Sequence, residues 1–257
     1  MKINVHYTPL SVDELYFTGK TAVVIDVLRA STTIITALQN GAKEIIPVGT
    51  VEFAVKVSGG MFGGQTLLGG ERNTKKIEGF ALGNSPFEYS EDVVSGKSVI
   101  LYTTNGTKAI VKAKFSADLF ICAFLNVSAL ANHLTSLNKD IEIVCSGRSN
   151  NFSIEDTVCA GKLISEIEKL NDELIVSDSA RASQALNKSF GKNILKMLKE
   201  SEHGKILIEN GFTEDLNFCS KLNNTNVIPY FTGNVLKLLP ENIISSTTSV
   251  TKSTGTT

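Results

Sequence analysis

The amino-acid sequence predicts an α/β protein whose sheet is mostly parallel or mixed, with its binding groups at the carboxyl ends of the strands. Strand-length apolar runs recur at residues 21–27, 98–103, 118–122 and 141–145. Each is followed by apolar residues at helical spacing, Ile34, Ile35 and Leu38 after the first, and this alternation marks strand–helix units. The junctions between run and helix collect Asp, Arg, Ser, Thr and Asn, and ligands of open α/β sheets bind at such junctions.

At 257 residues and 42% apolar, the chain can bury the core of one large or two modest domains. We expect one catalytic α/β domain over residues 1–244, in one or two lobes, and a disordered Ser/Thr-rich tail over 245–257. With 26 acidic residues against 25 basic ones, nothing points to a nucleic-acid or membrane surface. No apolar run approaches the ~20 residues of a membrane span, and the first ten residues lack a signal-peptide core, so a cytoplasmic protein is expected. Cys122, Cys145, Cys159 and Cys219 show no CxxC spacing, and three of them sit in apolar patterns, as reduced core thiols do.

Arginine usage is more pointed. Of the 25 basic residues four are arginines: Arg29, Arg72, Arg148 and Arg181. The first three stand in loop-like stretches among Gly, Ser, Thr and Asn, where no amphipathic face needs a long cation. A planar, bidentate donor there suits a phosphate or carboxylate, chance placement in loops being the alternative.

In chain order, residues 3–7 read as a first strand, and Gly19 leads into the central one. Asp26, Arg29, Ser31 and Thr32 fall at its carboxyl end and in the turn before a helix. The carboxylate suits a cation, while the guanidinium, hydroxyls and helix-start N–H groups suit an oxyanion. Equally, Ser31 or Thr32 caps the helix while Asp26 and Arg29 form a local ion pair. Asn40-Gly41 stops this helix, and 43–48 is a strand with Pro47 at an edge or its end. Residues 50–57 read as a short helix and 58–70 as a glycine-rich connection holding Leu67-Leu68. Gly70-Glu71-Arg72-Asn73 offers a metal ligand and an anion clamp, or else an exposed turn with an ordinary charge pair. Ser85, Pro86 and Glu88 have capping-box spacing, with Asn84 and Ser85 as candidate substrate contacts.

After the strand at 98–103, Thr104-Asn105-Gly106-Thr107 precedes a helical pattern at 108–114, which favours an anion-cradling turn over a hairpin. The strand at 118–122 leads to a helix capped by Asn126, with Val127, Leu130, Leu134 and Leu137 facing the core. His133 beside that face reads as packing or surface, and no histidine is assigned a role. The strand at 141–145 ends in Ser146-Gly147-Arg148-Ser149, and a long helix opens at Ser153. Asp156 closes that helix start, or joins Glu155 in a hard-cation site. Beyond Asp178 the chain reads as helical, with a last short strand at 227–231.

Four segments agree in order and spacing: DVLRASTT at 26–33, GERN with GFALGNSPFEY at 70–89, TTNGT at 103–107, and SGR with SIEDTVCAG at 146–161. Together they resemble the 2-phosphosulfolactate phosphatase family, the magnesium-dependent phosphatases of coenzyme M biosynthesis. The resemblance extends over about residues 21–240 and implies a three-layer α/β/α fold, a homodimer, and hydrolysis of 2-phosphosulfolactate to sulfolactate and phosphate. The chain departs from the family pattern at Thr74, where glycine is expected after GERN.

A dianionic phosphate repels an anionic nucleophile, and Mg²⁺ with arginines is the standard means of neutralising it. The expected metal holder is Asp26, with Glu71, Glu155 and Asp156 as further candidates. The turn formed by Thr104, Asn105, Gly106 and Thr107, together with Ser31, Thr32, Asn84 and Ser85, is expected to hold the phosphate with one or two of Arg29, Arg72 and Arg148. The remaining arginine then takes the sulfonate and carboxylate end. Attack by a metal-bound water and attack by Asp26, giving an aspartyl phosphate, are both open. Asp26 at a strand end resembles the haloacid dehalogenase type, but Leu28 stands where that type has a second Asp, which favours water. Another small phosphorylated hydroxy acid would use the same arginines, and a non-catalytic phosphate sensor would need no convergence of acids. All of this requires the loops of Asp26, Glu71, Asn105 and Arg148 to meet in one pocket.

Overall fold

The computed structural model describes residues 1–60 and 66–240. Among them one mixed sheet takes eleven strands: β1 (Lys2–His6), β2 (Thr21–Ile25), β3 (Glu44–Pro47), β4 (Thr66–Arg72), β5 (Lys75–Lys76), β6 (Ser98–Tyr102), β7 (Asp118–Cys122), β8 (Ile141–Cys145), β9 (Ile175–Val176), β10 (Pro229–Thr232) and β11 (Val235–Leu238). The helices are α1 (Ala30–Gln39), α2 (Val51–Gly60), α3 (Glu91–Val94), α4 (Gly106–Lys112), α5 (Val127–Leu137), α6 (Ile154–Glu168), α7 (Asp178–Phe190), α8 (Ile194–Glu200), α9 (Glu202–Glu209) and α10 (Thr213–Cys219).

The strand order is β5-β4-β6-β3-β11-β10-β7-β2-β8-β1-β9. Two parallel groups, β4-β6-β3 and β7-β2-β8-β1-β9, are joined by the β10–β11 hairpin, which pairs antiparallel with both. Three antiparallel steps therefore separate the groups, and their strands run in opposite senses along the sheet.

Period-two alternation explains why the sheet is covered on both faces. All five residues of β2 are buried. Val23 and Ile25 join Ile3, Val5, Ile141 and Ile143 in a core under α5 and α6, while Ala22 and Val24 join Ile34 and Leu38 of α1 and Ala109 and Ile110 of α4. Ile45, Val99 and Leu101 from the other parallel group enter that second core too, so one apolar cluster ties the oppositely running groups together. The result is the α/β/α layering expected from the sequence.

Pro47 ends β3, an interior strand, and so removes no ladder donor from its middle. Residues 66–70, expected as connection, belong to β4; residues 61–65 of that expected connection and the 245–257 tail lie outside the described residues. The strands β5, β9 and β11 were not expected. Gly233-Asn234, at φ +57 and +67, is the two-residue turn that would have betrayed β11, because both residues sit in the left-handed region a type I′ hairpin needs. His133 is buried edge-on against Phe120, ring centroids 5.1 Å apart, which is a packing role. All four cysteines are buried. Among the described residues no helix is long and apolar enough to cross a membrane.

Helices α6 and α7 meet backbone to side-chain-free backbone at Gly161, where an added Cβ would lie 2.0 Å from the Ser183 carbonyl oxygen. Gly161→Val should therefore force the helices apart and lower the unfolding free energy by about 2 kcal/mol or more in urea titration. A loss under about 0.5 kcal/mol, the size of an ordinary surface substitution, would contradict this packing.

Candidate functional site

The carboxyl ends of β2, β4, β6 and β8 converge on one polar cavity of about 130 Å³. Asp26, Arg29, Glu71, Asn84, Thr104, Asn105 and Arg148, all singled out from the sequence, line it together with Asn73, Thr74, Ser149 and His203. Close contacts join the oppositely running strand groups there. Asn105 Oδ1 accepts the Ser149 N–H at 3.1 Å, and Gly106 lies so close to Asp26 that a Cβ would stand 2.5 Å from Oδ2. That approach is open only to glycine.

Asp26 follows β2 directly and is held at the start of α1. Its Oδ1 accepts the Ala30 N–H, and its own N–H donates to the Ser31 hydroxyl. Burial is the main reason its carboxyl is pushed up to about 7, helped by the negative charges of Glu71 and Glu155 and opposed by hydrogen bonds from Ala30 and Ser146. Glu71 is pinned by the Thr104 N–H at 2.7 Å, the Thr104 hydroxyl at 3.1 Å and the Thr74 N–H at 2.8 Å. The Arg72-Asn73-Thr74-Lys75 turn is a two-residue hairpin with Asn73 at φ +53 and Thr74 at φ +69. Thr74 thus adopts the left-handed conformation that glycine takes freely, at the position where the chain departs from the family pattern.

Several expected contacts are spent elsewhere. Ser31 and Thr32 do not line the cavity; the Thr32 hydroxyl donates to the Val27 carbonyl, and Ser31 braces Asp26. Thr107 is fully buried, exchanging hydrogen bonds with Thr103. The N–H groups of Thr104 and Thr107 are therefore not free to cradle an anion. Ser85 donates to Asp215, while Glu88 returns to the N–H groups of Gly83 and Ser85 as the capping pattern requires. Arg72 is exposed on the hairpin beside Lys75 and Lys76 and stays outside the cavity.

Asp156 acts as a latch. It accepts the Val27 N–H, the Ser146 hydroxyl and the Gly147 N–H, tying the end of β8 to the end of β2. Burial, then the charges of Asp26 and Glu155, raise its carboxyl. Glu155, also buried, lines a neighbouring hollow rather than the cavity, with Oε1 3.7 Å from His203 Nδ1.

The helical region after Asp178 supplies what the sequence reading missed. Arg29, 2% exposed, pairs with Asp215 of α10, stacks over Phe212 with its guanidinium carbon 4.1 Å from the ring centroid, and donates to the Thr74 carbonyl at 3.2 Å. His203 of α9 reaches the cavity wall. Neither Asp215 nor His203 carries a local signal, since each resembles an ordinary first-turn helical residue. Arg148, by contrast, has a loose partner, Glu202, at 3.8 Å across an exposed gap. It is the accessible guanidinium of the cavity.

A family model described as 2-phosphosulpholactate phosphatase matches residues 7–234. The chain belongs to that family of phosphoric monoester hydrolases. It is 39% identical over 237 residues to a probable 2-phosphosulfolactate phosphatase of Caldanaerobacter subterraneus subsp. tengcongensis, covering 92% of this chain and 98% of that one. A protein of the same description from Clostridium acetobutylicum is 40% identical over 232 residues, with 90% and 98% covered, and one from Clostridium perfringens strain 13 is 39% identical over 245 residues, with 95% and 98% covered. The family match spans all four loops of the cavity.

Two predictions concern the site's stability. Asp215→Ala leaves the buried Arg29 guanidinium without its carboxylate, and the loss should be about 3–5 kcal/mol by chemical denaturation; a loss under about 1 kcal/mol contradicts it. The second concerns pH. The folded protein keeps the Asp26 proton up to about pH 7, whereas an unfolded chain releases it near ~4. Protonation therefore favours the fold, and this contribution is complete below about pH 4 and lost as pH rises through about 7. In EDTA, Asp26→Asn should melt above the native protein at pH 8, the difference closing toward pH 5; calorimetry showing a pH-independent difference contradicts the shift.

Proposed function

We propose that this chain hydrolyses 2-phosphosulfolactate to sulfolactate and phosphate with the help of Mg²⁺, in the manner of coenzyme M biosynthesis. The observation that carries the reading is the union, in one small cavity, of two buried carboxylates, Asp26 and Glu71, with the accessible guanidinium of Arg148. A pocket that only captured phosphate would gain nothing from the carboxylates, which repel it.

The donor set fits the cation. Among the described residues no three His, Cys, Asp or Glu side chains gather tightly enough to hold a metal by themselves. Mg²⁺ does not require that, being commonly held by one or two carboxylates with substrate phosphate oxygens and water. Asp26 and Glu71 are the pair, and Asn84 Oδ1, buried in the cavity wall with no hydrogen-bond partner, is a further oxygen for the cation or the guest. Glu155 and Asp156 are engaged elsewhere and are not part of this proposal as ligands. When bound, Mg²⁺ neutralises phosphate charge and makes water a better nucleophile at neutral pH.

The remaining steps fall to the chain's own residues. Arg148 pairs with the anionic guest, and Arg29, locked by Asp215, presents a fixed positive edge to the same space. Asn73, Asn105 and Ser149 supply neutral donors that orient it. Asp26, braced at the head of α1 and without a second Asp two residues on, is better suited to holding a cation than to attacking phosphorus. A cytoplasmic homodimer is part of the same proposal.

Phosphate release from 2-phosphosulfolactate should require Mg²⁺, stop in EDTA, and fall at least about 10³-fold in Asp26→Asn, given how much transition-state charge such a cation carries. Phosphoglycolate, phosphoglycerate and phospholactate should be poorer substrates. Undiminished release by Asp26→Asn sinks the cation assignment, and a trapped phosphorylated Asp26 sinks the attack by water.

A further inference from the structure

We infer that His203 is the general acid of this reaction, protonating the oxygen that leaves phosphorus. The inference rests on the phosphatase reading and adds a residue and a step to it. The leaving group of a phosphorylated 2-hydroxy acid is an alkoxide, a strong base that departs slowly unless a proton reaches it as the P–O bond breaks.

The cavity offers few sources for that proton. Of its titratable side chains, Asp26 and Glu71 are committed to the cation, and the guanidinium groups of Arg29 and Arg148 do not give up protons. His203 is what remains, and histidine is the side chain whose ordinary titration lies nearest neutrality.

Its setting matches the role. His203 sits in the first turn of α9, whose start is fixed by the Ser201 hydroxyl accepting the Gly204 N–H at 3.0 Å. The imidazole is largely enclosed, its side chain 15% exposed. Nδ1 faces Glu155 Oε1 at 3.7 Å, and the Glu155 side chain is 4% exposed. A buried carboxylate beside one ring nitrogen orients an imidazole, which leaves Nε2 for the substrate. Glu155, at the head of α6, shares the neighbouring hollow with His203 and is not part of the cavity lining. Glu155 is a positioning residue, and His203 a catalytic one.

In the step itself, water oxygen forms a bond to phosphorus while the bond from phosphorus to the bridging oxygen breaks. The electron pair of the broken bond stays on the bridging oxygen, which takes the proton from His203 Nε2 and leaves as the alcohol. The attacking water keeps one proton on the hydrogen phosphate product, and its other proton passes through solvent to restore His203. Nothing is oxidised or reduced.

Leaving-group dependence tests the assignment. The native protein, His203→Gln and Glu155→Gln are compared on 2-phosphosulfolactate and on p-nitrophenyl phosphate, whose phenolate departs readily without a proton. His203→Gln should lose about 10²–10⁴-fold in kcat on the alkyl ester and less than about 10-fold on the aryl ester. Retained aryl activity shows in the same assay that the variant is folded. Glu155→Gln should show the same inequality in milder form. Equal losses on both esters, or a change confined to KM, overturn the role of His203. A native protein that frees phosphate from neither ester overturns the phosphatase reading, and the His203 step with it.

Discussion

Buried negative charge is the constraint around which this molecule is arranged. Asp26, Glu71, Glu155 and Asp156 are each less than a tenth exposed and stand at the carboxyl ends of strands or the head of a helix. Carboxylates removed from water need donors, and Asp26, Glu71 and Asp156 find them in backbone N–H groups and hydroxyls, while Glu155 has the His203 imidazole 3.7 Å away. The loop geometry follows from that need: Thr104 bends to Glu71, Gly147 and Val27 turn their N–H groups to Asp156, and Ala30 opens α1 over Asp26. Burial holds the carboxyls of both Asp26, pushed up to about 7, and Asp156 above the usual range, so at neither do the donors match the desolvation, and of the two Asp26 lines the cavity. A carboxylate left short of donors in a cavity is what a cation completes.

The acids divide into different kinds of work. Asp156, with three donors, ties two strand ends together outside the cavity lining, whereas Asp26 and Glu71, the latter also with three donors, line the cavity. The arginines divide in the same way. Arg29 is locked between Asp215 and Phe212, Arg148 is loosely tethered, and Arg72 remains on the outer hairpin. Position in a loop was therefore a fair guide to two of the three. The third is exposed on that hairpin and takes no part in the cavity lining.

The helices α9 and α10 matter beyond their size. They contain no strand-end motif, yet Asp215 fixes Arg29 and holds the Ser85 hydroxyl, while His203 closes the cavity wall. Contacts separated by more than a hundred residues, as between Ser85 and Asp215, leave no periodicity in the chain to read.

What the sequence determined by itself is local. Apolar runs place β2, β6, β7 and β8 within two residues of their true bounds, because burying both faces of a strand demands an unbroken apolar stretch. The polar residues that follow are legible for the same reason, since a strand's end is where polarity first becomes affordable. The tertiary structure decided how two strand groups running in opposite senses bring those ends together. It did so through the β10–β11 hairpin and one shared core, and so chose which hydroxyls brace the backbone and which face the cavity. That choice depends on the direction in which each loop leaves its strand, a property of packing between distant segments that no short stretch of chain encodes.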